Sequence, residues 1–197
     1  ASSQELSPPD GVVATPERTR ARNTVRMNDS SWIESAMARH EGALLVFASR
    51  ITGDLDLARD VVQETFVKLC SQQRAAIEPQ LAEWLYTVCR NAALDVRRRR
   101  ARHLEAEGSD MTQHSDSTNA TLALETKEEG QRAIALLARL PNKQQEVLRL
   151  RFQGGLSYKE IARVTGESIG NVGWLIHMGL KSLRERMAGD ALEGTVS

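Results

Sequence analysis

The residues with the clearest chemistry in this chain are basic and lie close together. Six arginines and one acid, Asp95, occur between Arg90 and Arg102. The last five of these arginines are Arg97, Arg98, Arg99, Arg100 and Arg102. They cover too many faces of one helix to belong to a core. Guanidinium groups in such a run neutralise phosphates and give salt-sensitive affinity without sequence information. The run indicates a nucleic-acid surface, with a solubilising charged segment as the alternative.

A second candidate surface is predicted by helix-capping residues near the C-terminus. Ser157 suits an N-cap, and Glu160, three residues on, completes a capping box. Gly166 supplies a backbone that ends this helix, and Ser168 suits the N-cap of the next one. Two capped helices separated by so short a turn form a helix-turn-helix, whose second helix enters the DNA major groove. This pattern indicates transcription rather than catalysis.

The charge of the chain is balanced overall but unevenly distributed. Its 26 Lys and Arg residues equal its 26 Asp and Glu residues. Between Leu104 and Glu129, however, a single Lys127 faces seven acids, which are Glu105, Glu107, Asp110, Asp116, Glu125, Glu128 and Glu129. Basic segments flank this stretch on both sides. The basic, acidic, basic order predicts two DNA-facing modules joined by an anionic connector.

Helical periodicity accounts for most of the remaining sequence, and no strand-like alternation stands out. The predicted helices span about residues 31–51, 55–71, 81–100, 126–140, 143–152 and 169–187. A polar connection of residues 72–80 separates the second from the third. The predicted fold is all-α, with two small helical domains joined by a flexible acidic linker, and with a helix-turn-helix as the C-terminal domain.

The domain boundaries follow from these patterns. We expect a disordered extension over residues 1–29, in which Met27 suits a natural start. The other predicted segments are a first helical domain (30–103), an acidic linker (104–125), a helix-turn-helix domain (126–188) and a tail (189–197).

Several side chains are predicted to be buried. Cys70 and Cys89, the only two cysteines, fall in apolar helical patterns, which favours buried reduced thiols over a regulatory disulfide. Trp84 lies on an apolar stripe and is expected in the core, whereas Tyr86 fits either environment. In the last helix the predicted buried stripe is Val172, Ile176, Leu180, Leu183 and Met187.

No targeting or membrane segment is apparent. No apolar run approaches the roughly 20 residues that span a bilayer, and residues 1–26 lack the apolar region of a signal peptide. We therefore expect a cytoplasmic protein.

Four segments together resemble the extracytoplasmic-function (ECF) group of bacterial RNA polymerase sigma factors, in the sigma-70 family. They are Asp60–Phe66, Trp84–Asp95 with the arginine run after it, Leu140–Leu148 and Gly155–Ala162. The similarity extends from about Ser31 to Met187. It implies a protein that directs core RNA polymerase to specific promoters and initiates transcription, in a stress or envelope response. It also implies no catalytic residues, metal or cofactor.

The resemblance implies site residues in the first half. Asp60, Gln63 and Glu64, on one polar side of a helix, would bind the clamp helices of the largest polymerase subunit, with a merely solvated face as the alternative. Asn91 and the connection 72–80 would hold a base flipped out near the minus-ten element, because an amide reads base edges. Next to it, Arg97–Arg100 would contact phosphates.

In the second half, the resemblance implies a helix that reads the minus-thirty-five element. The candidate contacts are Lys159, Ser168, Asn171, Trp174, His177 and Lys181. Asn171 can read adenine bidentately, Trp174 can contact a thymine methyl and Lys181 a phosphate. Where many members carry Lys, Ser and Arg, this chain has Gly173, Trp174 and Leu175. Trp174 and Leu175 alternatively suit a protein interface.

Further partners follow from the same resemblance. They are the polymerase flap, promoter DNA and an anti-sigma factor that would cover these surfaces, in a cytoplasmic, nucleoid-associated setting. The acidic linker is either a passive tether or a segment that threads towards the polymerase active site.

Two other classes of function stay open at this point. A stand-alone helix-turn-helix regulator would bind an operator tightly without polymerase, normally as a symmetric dimer, but it leaves Asp60–Phe66 unexplained. An enzyme is disfavoured, since the sequence has no metal-ligand cluster, nucleophile elbow or phosphate-binding glycine loop.

Overall fold

The computed structural model describes the backbone of residues 16–106 and 135–193, with side chains over 30–104, 106 and 135–187. Within these ranges the regular structure is entirely helical, which confirms the all-α prediction. The helices with given bounds are α1 (Pro16–Thr52), α2 (Leu55–Cys70), α3 (Arg74–Ile77), α4 (Leu81–Ala106), α5 (Asn142–Phe152), α6 (Tyr158–Thr165) and α7 (Ile169–Glu193). Residues 135–138, within the helix predicted over 126–140, are helical as well. None of these helices combines the length and apolarity needed to cross a membrane.

The helix α1 is longer than the sequence pattern predicts. It begins at Pro16, so the expectation of a disordered segment is wrong for residues 16–29, while residues 1–15 lie outside the described part of the chain. Proline is well suited to the first turn of a helix, and the Arg- and Ala-containing stretch after it has adequate helix propensity. Apolar periodicity, on which the prediction depended, is absent there.

The first half is a bundle of α1, α2 and α4. Gly53, with a φ of 70°, ends α1, and Asp54 caps α2 by accepting hydrogen bonds from the backbone N–H groups of Asp56 (2.9 Å) and Leu57 (3.1 Å). The side chains that hold the three helices together are fully or almost fully buried: Leu44, Phe47, Val61, Val62, Leu69 and Leu85. The N-cap and this apolar stripe fix which face of α2 remains exposed.

The second half is a bundle of α5, α6 and α7. Its core consists of Val147, Leu148, Leu156, Ile161, Val172 and Ile176. At Gly179 a Cβ atom would lie 2.8 Å from the Leu148 side chain, so glycine allows α7 to approach α5 closely. The first three residues of the predicted acidic linker, 104–106, belong to α4. The rest of that linker lies outside the described residues, as do residues 126–134 of the helix predicted after it.

The two halves contact each other, and their buried apolar side chains form one continuous cluster. The helix α4 packs against α6. At Gly154, just after α5, a Cβ atom would lie 2.8 Å from Cε2 of Tyr86 in α4. Glycine is therefore required where the second half meets the Tyr86 ring.

Several local predictions need correction. Cys70 is exposed because it is the last residue of α2, although Cys89 is buried as predicted. Met187 is 56% exposed, because it lies beyond the packed part of α7. The polar connection 72–80 contains α3 and a 3-10 turn (Glu78–Gln80). Trp84 is partly buried against the core, and Tyr86 is fully buried.

Candidate nucleic-acid interface

The polar face of α2 carries the three predicted polymerase-binding residues. Asp60, Gln63 and Glu64 are all exposed, whereas the opposite face buries Val61, Val62, Thr65 and Phe66. Glu64 pairs with Lys68 one turn on, at 2.7 Å. The geometry gives one continuous acidic and amide-bearing face, as the helical spacing predicts.

Asn91 borders a shallow groove between α2 and α4. Its lining residues are Glu64, Lys68, Val88, Asn91, Ala92, Asp95 and Arg99. The groove therefore brings Asn91 next to Glu64 of the α2 face, a neighbourhood that the sequence does not indicate. The connection 72–80, which is expected to accompany Asn91, contributes none of these lining residues.

The predicted arginine run lies on a continuous helical surface. The helix α4 extends to Ala106, so Arg97–Arg100 are part of it, and all four side chains are exposed. Arg98 pairs with Asp95 at 3.1 Å, and Arg100 with Asp54 at 3.3 Å. These exposed pairs contribute little stability, so the guanidinium groups are available for phosphates.

The capping residues of the helix-turn-helix make the predicted contacts. The Ser157 N–H donates to Glu160 Oε2 (2.6 Å), and Ser157 Oγ accepts from the Glu160 N–H (3.3 Å). Hydrogen bonds with Ser157 lower the pKa of the Glu160 carboxyl below its ordinary value. Gly166 ends α6 in the left-handed region, at a φ of 76°, and Ser168 Oγ accepts from the Asn171 N–H at 3.1 Å. The turn thus has the geometry that presents α7 to a groove.

The remaining predicted contacts lie on or beside α7 with different degrees of exposure. Lys159, Ser168, His177 and Lys181 are exposed, and Trp174 is 57% exposed. Leu175 is buried, so its suggested role in a protein interface is wrong: it faces the core with Val172 and Ile176. Gly173 faces the ring of Tyr158: a Cβ atom added at Gly173 would lie 3.7 Å from Cε2 of Tyr158.

Asn171 belongs to a chain of polar contacts that begins on α5. Its Nδ2 donates to Glu167 Oε2 (2.6 Å), and Glu167 Oε1 accepts from Lys143 Nζ (2.7 Å). The hydrogen bond from Lys143 is the main cause of the lowered pKa of Glu167. Glu167 is not among the predicted site residues, since its role depends on contacts between separate helices.

Two ion pairs join the halves of the molecule. Arg163 of α6 donates to both carboxylate oxygens of Glu83 in α4, at 2.5 and 2.7 Å. Arg90, one residue before Asn91, donates to Glu146 of α5 at 2.7 Å, and both side chains are about one-fifth exposed. The candidate minus-ten and minus-thirty-five surfaces are therefore linked by charged contacts next to each.

Sequence patterns also miss two buried polar side chains, Tyr86 of α4 and Arg149 of α5, which influence each other electrostatically. Tyr86 is fully buried with its ring edge-on to Phe47, at a centroid distance of 5.2 Å, and burial raises the pKa of its hydroxyl to about 12. Arg149 is 2% exposed, and burial lowers the pKa of its guanidinium to about 10. Among the residues that the structure describes, neither the Tyr86 hydroxyl nor Arg149 Nε has a hydrogen-bond partner. The spacing of Tyr86, Cys89 and Ala93 is the only local indication of this buried face.

Among the described residues, no group of three His, Cys, Asp or Glu side chains is placed to hold a metal ion. The described surfaces consist of exposed arginines, amides and a capped helix-turn-helix. They can bind a phosphate backbone and read base edges.

Comparison with known families agrees with this division of the chain. Residues 36–103 match the family described as Sigma-70 region 2, and residues 130–183 match Sigma-70, region 4. The first match contains α2 and most of α4, and the second contains α5, α6 and most of α7. Both halves are therefore those of a sigma-70 family protein.

Individual relatives narrow the assignment. The chain is 33% identical over 132 residues to the ECF RNA polymerase sigma factor EcfG of Rhodopseudomonas palustris, a match that covers 66% of this chain and 71% of that protein. It is 30% identical over 169 residues to the ECF RNA polymerase sigma factor SigL of Mycobacterium tuberculosis, covering 81% and 93%. It shares its fold with the sigma factor RpoE of Bartonella quintana, solved in complex with the anti-sigma factor NepR, at a TM-score of 0.56 and 24% identity, over 79% of this chain and 96% of that one.

The chain belongs to the ECF RNA polymerase sigma factors. It binds core RNA polymerase and promoter DNA, and it directs the polymerase to initiate transcription at specific promoters. The stand-alone regulator is not favoured, because the region 2 match accounts for α2 and the arginine helix.

Proposed function

We propose that the chain divides promoter recognition among three surfaces. The α2 face binds polymerase, α4 engages the minus-ten element, and α7 reads the minus-thirty-five element. The observation that carries this proposal is the pair of family matches, because the first contains the α2 and α4 candidate surfaces and the second contains the α7 surface. The polymerase performs the chemistry, so the chain needs no catalytic residue of its own.

Polymerase binding is assigned to Asp60, Gln63 and Glu64, on the clamp helices of the largest subunit. Their exposed carboxylates and amide suit a basic, polar helix of the partner. The second half would contact the flap. The acidic linker would connect the two attachment points, either as a tether or through the active-site cleft.

Minus-ten binding is assigned to Asn91 and to Arg97–Arg100. The groove between α2 and α4 offers an amide beside charged side chains, a suitable site for an unstacked base. The exposed arginines that follow on α4 would neutralise the phosphates of the same DNA segment. Base reading and backbone binding would thus be separated by about two helical turns.

The minus-thirty-five assignment rests on α7 and its N-terminal turn. Residues at the start of the second helix of a helix-turn-helix contact base edges. Ser168 and Asn171 lie there, and Trp174 and His177 follow on exposed positions. Lys159 and Lys181 would contact phosphates on either side.

The two halves must separate for both elements to be read. Elements 25 base pairs apart lie roughly 85 Å apart on DNA that rises about 3.4 Å per base pair. In this structure α4 and α6 are instead in direct contact through Glu83 and Arg163. The contacts between the halves therefore belong to the free protein, and binding to polymerase would replace them.

Regulation and location are extrapolated from the family. The RpoE structure holds an anti-sigma factor, and a corresponding partner for this chain would cover the α2 and α7 surfaces until a stress or envelope signal releases it. Because the chain acts on promoter DNA, its proposed location is the cytoplasm, at the nucleoid.

The α2 assignment is tested by changing charge without changing size. We expect Asp60→Asn combined with Glu64→Gln to weaken binding to core polymerase by roughly tenfold, because two charge-assisted contacts become neutral. Glu34→Gln, an exposed carboxylate on α1 and not on the α2 face, is the matched control and should retain binding. Core affinity is measured by fluorescence anisotropy of the labelled full chain. Equal affinities for all three proteins would contradict the assignment.

A further inference from the structure

The reading helix of this chain is poor in basic residues. From Ile169 to Leu180 it contains no lysine or arginine. The polar groups that this stretch can offer to base edges are Asn171, His177 and the indole N–H of Trp174. Of these, Asn171 lies in the first turn of α7, where helix-turn-helix proteins contact bases. Discrimination therefore depends heavily on how well one amide is positioned.

The Asn171 amide is held by a neighbour on the turn. Glu167 accepts from Asn171 Nδ2 at 2.6 Å with one oxygen and from Lys143 Nζ at 2.7 Å with the other. The Glu167 side chain is 24% exposed. The backbone of Asn171 is fixed as well, because its N–H donates to Ser168 Oγ. Both the position and the rotation of the amide are thus determined by contacts within the protein.

This contact determines what the amide offers to DNA. The Asn side chain has two N–H donors and one acceptor oxygen. One N–H is used by Glu167, so one N–H and Oδ1 remain. They are the pair that adenine requires, a donor to N7 and an acceptor for the N6 amino group. An unsupported amide rotates between two orientations, since its terminal torsion is broad and twofold, and only one of them presents this pair in order.

The charge of Glu167 is compensated by Lys143. A carboxylate beside DNA repels phosphates, but the Lys143 ammonium neutralises it. In the free protein, with the halves in contact, Arg90 of α4 also favours the ionised form of Glu167, whereas Lys143 belongs to the same half as Glu167 and stays beside it when the halves separate. Each Glu167 oxygen already accepts from a protein donor, one from Asn171 and the other from Lys143, so the carboxylate is placed to act on Asn171.

We propose that Glu167 is a positioning residue for base reading by Asn171, and that Lys143 makes this carboxylate compatible with DNA. The proposal rests on the assignment of minus-thirty-five reading to α7. It predicts that Glu167 controls the preference at one base pair without contacting it, whereas Lys143 controls affinity for all promoters alike.

The experiment uses the full chain with core polymerase and a promoter library randomised over the minus-thirty-five element, with transcripts counted for each sequence. We expect Asn171→Ala to reduce the preference at one position by roughly tenfold, in the range of one bidentate contact. Glu167→Ala should reduce the preference at the same position by about fivefold, and the double variant should be no worse than Asn171→Ala alone. Glu167→Gln, whose amide oxygen still accepts from Asn171, should keep the preference.

Two further variants separate positioning from charge and from folding. Lys143→Ala should lower transcription from all library members similarly and leave the base preference unchanged. Glu185→Ala is the matched control: Glu185 is an exposed carboxylate further along α7 and pairs only loosely with Lys181, at 4.0 Å. It should change neither the level of transcription nor the base preference.

The outcomes distinguish base reading by Asn171 from the positioning of Asn171 by Glu167. If Asn171→Ala leaves every base preference intact while the wild type initiates normally, the assignment of reading to Asn171 fails. If Asn171→Ala alters one position but Glu167→Ala does not, or if the two effects add, the positioning role is overturned. A uniform loss of transcription in both Glu167 variants would also overturn it, because Glu167 would then be purely structural.

Discussion

At the scale of single residues, the two cysteines show how burial gives chemically identical thiols different reactivity. Cys70 is exposed at the end of α2, whereas Cys89 is fully buried and its pKa is raised to about 12 by burial. Only the thiolate is nucleophilic. The two thiols therefore differ in reactivity because of their packing, not their sequence neighbours.

We expect one thiol of the native chain to react with a thiol reagent at pH 8. Cys70→Ser should abolish the rapid reaction, and Cys89→Ser should leave it unchanged. In denaturant both thiols should react. Titration with a chromogenic disulfide reagent measures this directly. Two rapidly reacting thiols in the native protein would mean that the core around Cys89 opens readily.

At the scale of helices, local chemistry predicts much of the structure. The capping box at Ser157 and Glu160 and the turn at Gly166 form as the sequence indicates, because caps depend on neighbours three residues away. The start of α1 at Pro16 is missed because no apolar period marks it. The role of Glu167 and the burial of Tyr86 and Arg149 are missed because each depends on how helices distant in sequence pack together. Leu175 is missed because its burial depends on how α7 packs.

The capping box also predicts a pH dependence of stability. The pKa of Glu160 in the folded chain is lowered from its ordinary value of 4.5 by hydrogen bonds with Ser157. The stabilisation is therefore fully present above that ordinary value and is lost as the pH falls through the lowered pKa of the folded state.

We expect the melting temperature of the wild type to exceed that of Glu160→Gln at pH 7 and the difference to narrow below about pH 4. Circular dichroism melts between pH 7 and pH 3 provide the measurement. Glu185→Gln, far from the box, should give a curve parallel to the wild type. A constant difference between wild type and Glu160→Gln at all pH values would show that the carboxylate charge is not involved.

At the scale of the whole molecule, the contact between the halves combines stabilising and destabilising groups. The pairs Glu83–Arg163 and Arg90–Glu146 hold the halves together. The buried Arg149 guanidinium and Tyr86 hydroxyl oppose them, because each has a polar atom that finds no partner in the described part of the chain, and burying such an atom is unfavourable. We expect these unpartnered polar atoms to make the interface easier to open than one of the same size that is wholly apolar.

Reversing one charge should open this contact, and reversing both should restore it. We expect Glu83→Lys to face Arg163 with a like charge and to shift the chain towards the separated form. Glu83→Lys with Arg163→Glu should return the pair and the compact form. Glu34→Lys, an exposed change on α1, is the control. Small-angle X-ray scattering reports the radius of gyration, and an unchanged radius in the single variant would argue against a role for the pair in holding the halves together.

The chain is expected to read promoters only when it is bound to core polymerase. Run-off transcription with purified core polymerase, on DNA of the source bacterium with mapped start sites, tests this most directly. We expect the chain to produce defined starts that core alone does not, while the chain without core binds the same DNA weakly and in a salt-sensitive manner. No new starts with core, or a tight site-specific complex without it, would contradict the account.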